Sequence, residues 1–98
     1  MRQISVLLVD DHAGFISAAL RHLRRLPWLT VAGTAGNGVE AIAQCEMLRP
    51  DVVLMDLAMP EMGGLQATRL IKAQDNPPYI VIASHFDDGE HREHAMRA

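Results

Sequence analysis

The chain has 98 residues, 49% of them apolar and 21% charged, with one cysteine and a formal charge of −3. That length makes one domain with a modest core, and the acidic balance argues against a surface that tracks nucleic-acid phosphates, so direct nucleic-acid contact by this segment is not expected. Cys45 has no partner for an internal disulfide, and the apolar run after Met1-Arg2-Gln3 meets Asp10 too soon to be a signal peptide or membrane span. A cytoplasmic protein without membrane contact is the expectation.

The first element in chain order is a strand over about Ile4 to Val9, ending on Asp10-Asp11-His12. A helix follows, with Phe15, Ala19, Leu23 and Leu26 on one apolar stripe and Pro27 as its stop. Arg21, Arg24 and Arg25 lie on its other faces and read as a solvated surface. Leu29 to Ala35 is a strand weakened by Gly33, which suits an outer position. After the Gly36-Asn37-Gly38 turn, Val39 to Leu48 forms a helix with Ala41, Ile42, Cys45 and Leu48 inward, and Cys45 reads as a small buried hydrophobe.

Val52-Val53-Leu54-Met55 lies between Pro50 and Pro60, too short for a helix and apolar on both alternating faces. It reads as a central strand covered on both sides. The Met59-Pro60 step disfavours helix immediately afterwards, which leaves Asp56 at the strand tip, facing a loop. Glu61-Met62-Gly63-Gly64 continues that loop. A helix from Leu65 to about Gln74 is expected to turn Leu65, Thr68 and Ile71 inward, and Asp75-Asn76-Pro77-Pro78 ends it. Tyr79 to Ser84 is the fourth strand, and Asp87 to Ala98 reads as a last helix.

Strands joined through helices run parallel, with right-handed crossovers and helices on both faces. Ligands in such α/β sheets bind beyond the carboxyl ends of the strands, where Asp10, Asp11, Asp56 and Ser84 all fall. Clustered carboxylates repel, so one must take a raised pKa or the group must hold a cation. Mg2+ fits hard oxygen donors best. With the cluster neutralised, Asp56 is the candidate nucleophile toward a phosphoryl group, Asp10 and Asp11 hold the metal, and Ser84 offers a hydroxyl to a phosphoryl oxygen.

Val9-Asp10-Asp11-His12, the run Asp51 to Gly64, and Ala95-Met96-Arg97-Ala98 resemble the receiver domain of bacterial two-component response regulators, over the whole chain. In wording the chain is similar to the branch whose receivers precede a helix-turn-helix DNA-binding domain. The resemblance implies a doubly wound flavodoxin-like sheet. Four strands in order 2-1-3-4 are expected within residues 1–98, and the family's fifth strand and last helix are absent from this stretch, which reads as either an incomplete or a truncated receiver. It implies that Asp56 accepts a phosphoryl group from a histidine kinase. It further implies that Asp10, Asp11, Asp56 and the backbone carbonyl of Ala58 hold Mg2+, and that DNA binding belongs to an output domain outside this segment.

Ser84 matches the family's switch hydroxyl when the segment ending at Ala98 sets the register, whereas anchoring on Pro78 puts Ala83 there. The family's fifth-strand lysine has no counterpart, since Lys72, the one lysine, lies in the third helix. Without a fifth strand, Ile80-Val81-Ile82 would form an exposed apolar edge and favour a homodimer. Two other functions compete with the phospho-accepting one. A non-switching interaction module is favoured by the missing lysine, and a Mg2+-dependent phosphohydrolase is disfavoured by Ala58, which stands where such enzymes carry a second acid. His12 and His85 follow the acidic pair and Ser84 and read first as partly exposed residues at loop starts, with a place at the border of the pocket as the alternative, and Glu90-His91-Arg92-Glu93-His94 has its histidines three apart, not the four that a zinc protease motif needs.

Overall fold

The computed structural model describes residues 2–57, 59, 62–84 and 94–97, with Ser84 and 94–97 described through their backbone alone. The elements are β1 (Ile4–Val9), α1 (Ala13–Leu23), β2 (Leu29–Ala35), α2 (Gly38–Leu48), β3 (Val52–Asp56), α3 (Gly64–Lys72), β4 (Tyr79–Ser84) and β5 (His94–Arg97). They form one sheet in the order β2-β1-β3-β4-β5. β1, β2, β3 and β4 pair in parallel, in the order expected from the resemblance.

The connection from β1 to β2 steps one way across the sheet, and those from β2 to β3 and β3 to β4 step the other way. Right-handed crossovers therefore place α1 on one face and α2 with α3 on the opposite face. Under α2 and α3 lies the core: Leu7, Val9, Val53, Met55, Ile80 and Ile82 from the sheet meet Ala41, Cys45, Ala67 and Ile71 from the helices. The other face is closed over β1, where Val6 and Leu8 are buried, but Leu54 and Val81 stay half-buried. Coverage of β3 on both sides is thus only partial among the described residues. α1 itself contains no fully buried side chain.

Several helix boundaries differ from expectation for local reasons. α1 ends at Leu23, before Leu26 and Pro27, because the chain already tightens into turns through Arg25 N–H to His22 O and Leu26 N–H to Leu23 O. Asn37 caps α2: its side-chain oxygen accepts the Glu40 N–H at 2.8 Å while the Glu40 carboxylate accepts the Gly36 N–H at 2.7 Å. α3 turns Gly64, Ala67, Thr68 and Ile71 inward, and Leu65, expected inside, is 56% exposed. The reason is the 3.6-residue period, since Gly64 opens the buried face and Leu65 lies about 100° away from it. β2 does occupy an edge, with a register shift against β1 that pairs Val31 with Val6 and Gly33 with Leu7.

The largest departure is at the C-terminal end. His94–Arg97, expected in a helix, forms β5, antiparallel to β4, with Ser84 opposite His94 and Val81 opposite Arg97. The open backbone groups along β4 supply partners that a helix does not need, and a strand satisfies them. The apolar edge expected over Ile80-Val81-Ile82 is therefore covered from Val81 onward, and Ile80 and Ile82 are 1% and 3% exposed. This strand runs antiparallel to β4, unlike the parallel fifth strand of the family that the chain resembles.

Candidate functional site

β1 and β3 lie side by side at the point where strand order reverses, the crevice where α/β sheets bind ligands. Their register, Val9 opposite Met55, carries Asp10 and Asp56 out together at the carboxyl end. Both are buried, each 4% exposed. Burial at that place is forced by the strands, whose apolar residues lock the register with their side chains in the core.

Asp10 is held by its own loop. One of its carboxylate oxygens accepts the His12 backbone N–H at 2.8 Å, a turn closed by an aspartate two residues ahead of the helix. The same oxygen lies 3.1 Å from Nδ1 of His12, and an Asp11 oxygen lies 3.1 Å from that nitrogen as well. The hydrogen bond to Asp10 and the charge of Asp11 raise the His12 imidazole above its ordinary pKa. One ligand atom from each of Asp10, Asp11, His12 and Asp56 falls within 4.8 Å of all the others.

The loop after β3 is fixed from below. Leu57, Met59 and Met62 pack against the core, and the Gly64 N–H donates to Leu57 O at 3.0 Å. A Cβ at Gly64 would run into the Asp56 carbonyl oxygen and reach 2.9 Å from Leu57 Cα, so α3 approaches the tip of β3 as closely as only glycine permits. Gly38, at the start of α2, leaves the room that Met62 fills. The backbone of Asp56 is in this way held against the N-terminus of α3.

The structure thus brings together Asp10, Asp11 and Asp56, as expected, and adds His12 as a close neighbour of both aspartates at the β1 tip. The clue in the sequence was the Asp-Asp-His run before a helix, which predicts a turn but not the direction of the ring. Asp56 pairs with Ala83 through the backbone, and Ser84 stands one residue further on. The side chain of Ser84, together with Ala58, His85 and the Glu90-His91-Arg92-Glu93 run, lies outside the described residues. Lys72 is at the opposite end of the sheet, where its Nζ donates to Pro78 O at 3.2 Å. Arg21, His22, Arg24 and Arg25 line a shallow exposed basic surface at the C-terminal end of α1, the helix that follows Asp10-Asp11-His12. Cys45 is buried, and burial pushes its thiol up to about 11.

Three donor carboxylates with two of them buried suit a hard dication. Residues 6–98 match the family model for the response regulator receiver domain. Among solved structures, the response regulator domain of Thermotoga maritima CheB superposes with a TM-score of 0.82 at 34% identity, covering 90% of this chain and 66% of that one. Among curated proteins, the transcriptional regulatory protein YdfI of Bacillus subtilis is 37% identical over 85% of this chain. A protein-glutamate methylesterase/protein-glutamine glutaminase of Alkalilimnicola ehrlichii is 38% identical over 89% of it. The chain spans 39% of the length of the first of these proteins and 22% of the second. No helix among the described residues is long and apolar enough to cross a membrane.

Proposed function

Because this chain belongs to the response regulator receiver domain family, we propose that it accepts a phosphoryl group on Asp56 from the phosphohistidine of a histidine kinase, with Mg2+ at the acidic cluster. The observation that carries this reading is the convergence of buried Asp56 with Asp10 and Asp11 at the carboxyl ends of two adjacent strands. A carboxylate oxygen of Asp56 forms the new bond to phosphorus, the phosphorus–nitrogen bond of the donor breaks, and the donor imidazole keeps the electron pair and takes up a proton. Asp10, Asp11, Asp56 and the Ala58 carbonyl would hold the cation, which would supply charge neutralisation for the phosphoryl oxygens. Ser84 donates its hydroxyl to one of those oxygens.

Clamping of the Asp56 backbone by Gly64 orients the nucleophile before any donor arrives. Residues 1–98 act as a cytoplasmic receiver module that is phosphorylated without turning over a substrate. Both a transcriptional regulator and methylesterases occur among the relatives, so the output lies outside the matched segment in those proteins. The test is intact mass after acetyl phosphate or phosphoramidate with Mg2+. One phosphoryl adduct, removed by hydroxylamine and absent from Asp56→Asn, is the expected result, and an adduct that persists in Asp56→Asn overturns the assignment.

A further inference from the structure

β2 is the open edge of the sheet, pairing with β1 alone among the described residues. Edge strands expose backbone N–H and C=O groups, and proteins usually blunt them with lysine, proline or a bulge. β2 has no charge and no proline of its own, and its irregularity is the register shift between Val31 and Gly33. Near its ends, the Leu29 N–H donates to Leu26 O at 3.2 Å and Thr34 O accepts Gln44 Nε2 at 3.5 Å, so the open stretch lies between them. Along it runs a groove of about 460 Å3 between β2 and α1, with Leu20, Leu29 and Val31 half-buried and Arg24 exposed. Arg24 also lines the adjoining basic hollow with Arg21, His22 and Arg25. We propose that β2 and the end of α1 together dock an extended acidic segment of a partner protein, which adds to the sheet as a strand beside β2.

Charge selects the occupant. Arg21, Arg24 and Arg25 are three of the nine lysines and arginines in a chain of net charge −3, and none of them forms an ion pair among the described residues. In an added strand every second side chain faces α1. Glutamate at those positions lays its methylenes against Leu29 and Val31 and carries its carboxylate to the guanidinium groups, which bind carboxylates through paired hydrogen bonds. The strand's backbone supplies affinity and its alternate carboxylates supply specificity. A second copy of this chain is a poor occupant, because antiparallel pairing of two β2 edges about a two-fold axis brings both arginine clusters onto one face, where they repel. α1 starts beside Asp10-Asp11-His12, and its 11 residues carry the chain about 16 Å away from them. The docking surface is therefore separate from the acidic tips, and the inference stands apart from phosphoryl transfer at Asp56.

The test titrates the isotope-labelled 98-residue chain with a short peptide that alternates glutamate and threonine, read by amide NMR. Saturable shifts and slowed hydrogen exchange are expected at the amides of Thr30 to Gly33, weakening as salt is added. Arg24→Glu combined with Arg25→Glu is expected to weaken binding by about tenfold or more, since both guanidinium groups are exposed and their loss leaves the core intact. The same variant should take up a phosphoryl group from acetyl phosphate at the wild-type rate, and a changed rate would overturn the separation from Asp56. A peptide with lysine in place of glutamate should not bind. A glutamate peptide with a central proline, which cannot complete the ladder, should bind much more weakly, and equal binding would overturn strand addition. Single-stranded DNA and phosphatidylserine vesicles are titrated alongside. If either binds at Arg24 and Arg25 while the glutamate peptide does not, or if the peptide leaves the Thr30 to Gly33 amides unmoved, the acidic-segment assignment is overturned.

Discussion

Asp51 shows how a single carboxylate can tie the start of two strands together. Its oxygens accept the Ser5 N–H at 2.8 Å, the Ser5 hydroxyl at 3.1 Å and the Arg2 guanidinium at 2.7 Å. These contacts, the Ser5 backbone N–H first, hold its pKa below the ordinary carboxylate value. The sign follows directly: stability from this group is complete above the unfolded-chain pKa and is lost as pH falls through the lower folded one. Asp51→Ala is expected to cost about 1–3 kcal/mol in urea unfolding at neutral pH. The difference from wild type should shrink in acid, and a difference independent of pH would refute the linkage. Thr68 makes the opposite case. Its hydroxyl is buried and has no hydrogen-bond partner among the described residues, so Thr68→Val should be neutral or stabilising by up to about 1 kcal/mol.

At the scale of elements, α3 owes its position to a glycine. Gly64→Ala places a methyl group against backbone atoms of Asp56 and Leu57, which cannot rotate away as a side chain would. The expected cost is about 2–3 kcal/mol in unfolding, with slower Asp56 phosphorylation because the nucleophile's backbone is displaced. A variant as stable and as fast as wild type would show that α3 shifts freely. On α2, the Cys45 thiol is 2% exposed and raised to about 11, so a disulfide reagent should modify it slowly at neutral pH and far faster in urea. Equal rates in both states would contradict its burial. Inward Ala41, Cys45, Thr68 and Ile71 were legible from periodicity. Leu65 was not, because a period fixes relative angles along a helix and leaves its rotation against the sheet to packing.

Across the whole molecule, β5 decides whether β4 is an edge. A chain ending at Glu93 loses the partner of Val81 to Ser84 and is expected to associate at high concentration, read by light scattering as a rise above monomer mass. A clean monomer would show that the edge protects itself by other means. The sequence alone determined the four parallel strands and the three acids at their tips. Strand-length apolar runs, their bounding prolines and the βαβ alternation are local signals, and right-handed crossover converts them into a sheet. Only the tertiary structure decided that His12 faces Asp10 and Asp11, that Gly64 meets the Asp56 carbonyl, and that His94–Arg97 is a strand. Each of these depends on an unoccupied space or an unpaired backbone edge supplied by residues distant in the chain, and no local preference encodes what such a neighbour leaves open.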